Sequence, residues 1–191
     1  MKVLTFGEIM LRLKTPEYLR IVQADGFEAS YGGAESNVAV SLASFGDEAA
    51  FVTKLPENPV GEAALNELRR YGVDTSLVLK GGPRLGIYYF EKGTNIRPTN
   101  VVYDRAGSSI SVADSSEFDW KKLLSGIGIF YFSGVTPAIS DSIAKAVEEA
   151  LIYCHAHHIQ VVCDLNYRSK MWSCEKAQSV VNYPSPKGNG L

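Results

Sequence analysis

The chain has 191 residues, 46% apolar and 21% charged, with a formal net charge of −2. That composition suits one well-buried globular domain and is only marginally enough for two. The near-zero charge gives no electrostatic reason to bind nucleic acid or a membrane surface, and no apolar run is long enough to span a bilayer or to act as a signal peptide, so a cytoplasmic protein is expected.

Residues Val3–Phe6 read as a buried strand of a parallel sheet, and Ile9–Leu13, after Gly7-Glu8, as an alternating strand. Glu8, a carboxylate at a strand end beside glycine, is either a solvated loop acid or a contact for a polyhydroxyl ligand. The polar stretch from Thr15 to Ser30 reads as loop plus short strand. It leads to Gly32-Gly33, a glycine pair that opens into a helix ending near Gly46. Such a pair is either an ordinary strand-to-helix turn or a place where backbone approaches a ligand closely and free amides of the first helical turn donate to it. Val38, Leu42 and Phe45 share one face and are expected to pack that helix down.

Glu48–Lys54 reads as the next core strand, Asn58–Tyr71 as a helix with Pro59 in its first turn and Ala64, Leu65 and Leu68 inward, and Val73–Leu79 as a third strand. The alternation predicts an α/β layered fold. It breaks at Gly86–Glu91 and Asn100–Arg105, two β-rich segments without an intervening helix, which predict an antiparallel insertion over the ligand-side edge, serving as a lid or as a subunit contact. It resumes with a short helix at Trp120–Leu124, a strand at Gly128–Gly134, a helix at Ser140–His155 capped by Ser140, and a strand at Ile159–Leu165. That last strand delivers Asp164, Asn166 and Arg168 to its carboxyl end, where open α/β sheets bind ligands. Residues 182–191 lose apolar periodicity and read as an irregular tail.

Cys154, Cys163 and Cys174 lack an even count and CxxC spacing, so free thiols are expected, and His155, His157 and His158 suit a helix C-terminus better than a metal site. Neither GxxxxGK[ST], GxGxxG nor GxSxG occurs, which excludes P-loop enzymes and gives no support to a dinucleotide site or a nucleophile elbow.

Gly32-Gly33-Ala34-Glu35-Ser36-Asn37-Val38-Ala39, following Phe6-Gly7-Glu8, resembles the first signature of the ribokinase-like (PfkB) carbohydrate kinases. Together with Tyr88-Tyr89-Phe90, the run from Tyr103 to Ser108 and the run from Asp164 to Trp172, the chain is most similar to 2-keto-3-deoxygluconate kinases over about residues 2–180. The resemblance implies a three-layer α/β/α fold with a mostly parallel sheet and a small β lid (about residues 12–30 and 84–112), ATP and Mg²⁺ as co-substrates, and phosphoryl transfer to a sugar-acid hydroxyl. It implies that Gly32, Gly33 and Asn37 hold sugar hydroxyls with Glu8 near them. Tyr89, Tyr103 and Arg105 would close over the sugar from the lid, which could also pair two copies as a homodimer. Asn166 would join the sugar contacts, and Arg168 would bridge substrate and transferring phosphoryl group. Unless Arg105 and Arg168 are plain surface cations, two such forks suit a carboxylate better than a neutral ketose, and make fructokinase or ribokinase activity the alternative.

The family's second signature, a Gly-Ala-Gly-Asp loop supplying the anion hole and the catalytic base, does not occur in the sequence. The expectation is therefore an N-terminal, sugar-side part of such a kinase over residues 1–181, truncated or frame-shifted near Val181. Without the nucleotide-binding half it would be inactive alone, or serve as a non-catalytic sugar-binding remnant.

Overall fold

In the computed structural model, which describes residues 1–169 and 171–181, the first apolar run forms β1 (Val3–Phe6), with every residue buried. The elements that follow are β2 (Met10–Lys14), β3 (Glu28–Gly32), α1 (Ala34–Ser44), β4 (Ala49–Val52), β5 (Lys54–Leu55), α2 (Pro59–Arg70) and β6 (Leu79–Lys80). After them come β7 (Ile87–Glu91), β8 (Asn100–Asp104), α3 (Trp120–Leu123), β9 (Ile129–Ser133), α4 (Asp141–Ala156), β10 (Gln160–Asp164) and α5 (Cys174–Val181). Lys170 and the proposed tail at 182–191 lie outside the described residues.

Two sheets carry the architecture. The core sheet has the order β10-β9-β1-β4 with all its pairs parallel. Successive residues of a strand point to opposite faces; both faces of β1, β4 and β9 are covered, while the edge strand β10 is exposed along its length. Leu4, Phe6, Ala50, Val52, Phe130 and Phe132 pack with residues of α3 and α4, such as Trp120, Ile143 and Val147. Phe51 and Ala49 pack on the other side with Ala39 of α1 and Ala64, Leu65 and Leu68 of α2. This is the three-layer α/β/α arrangement. The second sheet, β3-β2-β7-β8, pairs β2 with β7 in parallel and both outer strands antiparallel. It is the lid, and its strands are half-buried or exposed almost throughout.

The helix signals act as the sequence implies. Asn58 Oδ1 accepts from the amides of Val60 and Gly61 at the start of α2 (3.1 and 3.0 Å), and Ser140 Oγ accepts from Ile143 at the start of α4. Gly46 and Gly72 close α1 and α2 at φ +94° and +83°, a region glycine enters without steric cost.

Two expectations are corrected. Val73–Leu79 is not a third strand: after a single bridge from Asp74 to Ala50, Asp74 Oδ1 accepts from the Ser76 amide (2.9 Å) and Val78 donates to the Thr75 carbonyl. This local turn chemistry competes with pairing, and only Leu79–Lys80 pairs, with β5. The inner face of α1 is also not Val38–Leu42–Phe45. The helix ends one residue before Phe45, which is 85% exposed, and Glu35, Ser36 and Ala39 are the buried row.

Candidate functional site

The site forms where the lid stands over the carboxyl end of β1. Facing residues of neighbouring strands share a face, so the register assigns the lid side chains. One rung across the sheet is Ser30, Arg12, Tyr88 and Tyr103; two residues back along β2, Met10 faces Gly32, with Gly86 beside Met10 just before β7 and Arg105 just after β8. The Tyr88 and Tyr103 rings lie 5.9 Å apart, and the Tyr88 hydroxyl is 3.7 Å from where a Gly32 Cβ would stand. Burial pushes the Tyr88 phenol up, with the Arg12 charge opposing.

Below this wall sits a buried ion pair. Glu8 is 4% exposed; its Oε2 accepts from Arg105 Nε (3.0 Å) and Nη2, and its Oε1 from the Ser108 hydroxyl (2.8 Å). Gly86 makes room for that carboxylate, since a Cβ there would stand 2.7 Å from Glu8 Oε1. Arg105 also lies over the Tyr103 ring at 5.7 Å and points Nη1 at the Met171 sulfur (3.2 Å), which links lid, β1 end and the loop after β10. A fork held on two sides is a pre-oriented donor for carboxylate or hydroxyl groups.

The glycine pair closes the floor. Gly33 is required by close approach and not by conformation. Its backbone is extended, but a Cβ would stand 1.9 Å from the Glu8 carbonyl oxygen. Asn37, exposed, sits one helical turn on, with Oδ1 3.5 Å from the Gly33 nitrogen.

A second acid lies under this floor and is absent from the sequence-based set. Glu35 is 1% exposed, and its Oε1 accepts from the Ser133 amide (3.1 Å), the Ser133 hydroxyl and Thr136 Oγ1 (2.8 Å). Thr136 Oγ1 is also 3.1 Å from the Phe6 carbonyl. Burial pushes this carboxyl up, against the donors at Ser133 and Thr136. Because Glu35 Oε2 stands 2.1 Å from a would-be Gly7 Cβ, the acid fills the space left by that glycine.

Glu8, Gly32, Gly33, Asn37, Tyr103 and Arg105 are thus gathered in one place. Tyr89 is not, and its expected position is corrected: it lies on the opposite face of β7, edge-to-face with Phe27 at 5.7 Å, and Tyr88 takes the place beside Tyr103. Counting strand parity back from Tyr103 across the hairpin would have selected Tyr88. Asn166 is half-buried at φ +33°, its amide donating to Asp164 Oδ1 (3.1 Å). Arg168 is exposed and stands outside the Glu8–Arg105–Ser108 cluster. Among the described residues no three His, Cys, Asp or Glu side chains converge on a metal position, and no helix is long and apolar enough to cross a membrane.

The same architecture occurs in solved structures. The 2-dehydro-3-deoxygluconokinase of Thermotoga maritima superimposes with a TM-score of 0.93 at 51% identity, over 95% of this chain and 56% of that one. A PfkB family carbohydrate kinase of Listeria grayi gives 0.92 at 37% identity, over 95% and 57%. The 2-dehydro-3-deoxygalactonokinase of Haloferax volcanii is 39% identical over 97% of this chain and 58% of its own length. The chain therefore spans somewhat over half the length of the relatives it matches. Residues 1–186 match the model of the pfkB family carbohydrate kinases, and the chain belongs to that family.

Proposed function

We propose that this chain supplies the sugar side of an ATP-dependent kinase for 2-keto-3-deoxygluconate or a closely similar sugar acid. The observation that carries the reading is the buried Glu8–Arg105–Ser108 cluster, set between the tyrosine wall and the glycine floor. A neutral ketose needs hydroxyl partners only, whereas a fixed guanidinium fork matches a carboxylate. Relatives named for two keto-deoxy sugar-acid kinases, at 51% and 39% identity, support the same substrate class.

In this reading Gly32, Gly33 and Asn37 hold hydroxyls from below, Tyr88 and Tyr103 cover the ring, and Arg105 orients the acid end. Glu8 acts through Arg105, since both its oxygens are engaged. Asn166 and Arg168 follow β10, and in this reading Asn166 would join the sugar contacts and Arg168 would meet developing phosphate charge. ATP, bound with Mg²⁺, would supply the phosphoryl group. An uncharacterized sugar kinase of Pyrococcus horikoshii with this fold has been solved with ATP. With no Gly-Ala-Gly-Asp loop in its sequence, the 191-residue chain would supply neither the acceptor-deprotonating base nor the anion hole and would be inactive alone. We place the protein in the cytoplasm. Phe27 and Val102, on the lid face away from the site and 39% and 46% exposed, support pairing of two copies through the lid.

The test is ATP turnover on 2-keto-3-deoxygluconate and on fructose by a form extended to the length of the relatives, beside the 191-residue chain. Preference for the acid by the extended form, with none of the turnover in the short one, is expected. Preference for fructose would sink the sugar-acid reading, and turnover by the short chain would sink its inactivity.

A further inference from the structure

Charge on the site-facing side of the lid is distributed unevenly. Three cations stand along that face: Arg12 and Lys14 in alternate positions of β2, and Arg105 just past the end of β8, two residues on from Tyr103. Arg105 is matched by Glu8, and Lys14 is matched by Glu28, Nζ to Oε2 2.7 Å. Arg12, between them, has no carboxylate partner among the described residues, and its Nε is buried without a hydrogen-bond partner. Its guanidinium lies over the Phe90 ring at 4.1 Å. A ring face attracts the cation without neutralising it or occupying its donors, so the group is held in place with charge and N–H groups unspent. A buried donor left without an acceptor costs free energy, and such a cost is tolerated where a ligand later supplies the acceptor.

We propose that Arg12 is a specificity-determining residue of the sugar site, meeting the carboxylate of an acidic ligand from the lid; this rests on the sugar-acid reading above. Glu8 already balances Arg105, so that pair contributes orientation with little net charge. Arg12 contributes the uncompensated positive charge. Alternate residues on one face of a strand are about 7 Å apart, so a carboxylate oriented by Arg105 and lying between it and Arg12 would be met by Arg12 from the lid side without movement of the sheet. Tyr88, directly beside Arg12 in its own rung, would lie along the ligand.

The experiment is titration calorimetry of 2-keto-3-deoxygluconate and of fructose into the chain, the Arg12→Gln variant and the Arg12→Lys variant, with circular dichroism to show that each is folded. The native chain is expected to prefer the acid. Arg12→Gln is expected to lose roughly tenfold or more of affinity for the acid, as removal of a charge-assisted bond implies, with fructose affinity within about twofold. Arg12→Lys, which keeps the charge, should retain most of the preference. An Arg12→Gln variant that still prefers the acid as strongly as the native chain overturns the role of Arg12 and leaves the sugar-acid reading standing. A native chain that shows no preference, or prefers fructose, overturns both.

Discussion

Glu8 and Glu35 are both buried, 4% and 1% exposed, and both sit at the carboxyl end of β1, yet their surroundings set them to opposite tasks. Glu8 faces a guanidinium and a hydroxyl, in an ion pair that reaches from the core into the lid. Glu35 faces two hydroxyls and an amide, with burial as the dominant influence, and is pushed toward the neutral acid. Glu8 organises a group that a ligand can touch. Glu35 ties α1, β1 and the end of β9 together beneath the glycine floor. A buried acid is thus a binding-site component or a structural knot according to whether a cation meets it.

Substitutions can break that contrast, and the largest effect is expected at the knot. Glu35→Ala should cost about 3 kcal/mol in denaturant unfolding, because it strands buried donors and opens a cavity. Glu35→Gln should cost far less and should change the pH dependence. The folded carboxyl lies above its ordinary 4.5, so native stability is full below that value and falls as pH rises toward the folded value. In the amide variant that decline should vanish, and melting curves at several pH values will show it. Gly33→Ala should cost about 2 kcal/mol, because the obstacle is the Glu8 backbone, which cannot swing aside.

At the latch, Glu8→Gln should weaken sugar-acid binding about tenfold while costing less stability than Glu35→Ala, since Arg105 keeps some access to water to offset its lost partner. The smallest effect is expected far from the site. Lys2→Ala removes a pair whose side chains are 33% and 34% exposed, worth about 1 kcal/mol or less. Against the pull of burial, hydrogen bonds from Lys2 and Ser76 hold Asp74 at about 2, below its usual 3.8. Its contribution is present above 3.8 and fades as pH falls toward 2.

The fold is legible wherever periodicity and caps agree. Asn58 with Pro59 and Gly72 set α2, Ser140 sets the start of α4, and the apolar runs set β1 and β9. Asp74 to Val78 misleads because a side-chain-to-amide bond defeats a strand-like pattern, and Phe45 misleads because helix periodicity says nothing of where the helix stops. The site's backbone elements and Arg105 follow from motif resemblance. Tyr88 needed strand parity, Arg12 needed the pairing of β2 with β7, and Glu35 needed the contact with Gly7, none of which is local in sequence.

The most direct measurement is a ¹⁵N and ¹³C-carboxyl NMR titration of the chain with 2-keto-3-deoxygluconate. The account predicts shifts at the Gly32 and Gly33 amides and at Arg105 Nε, with the Glu35 carboxyl carbon unmoved. Shifts absent from Arg105 and the glycine pair, or concentrated at Glu35, would contradict it.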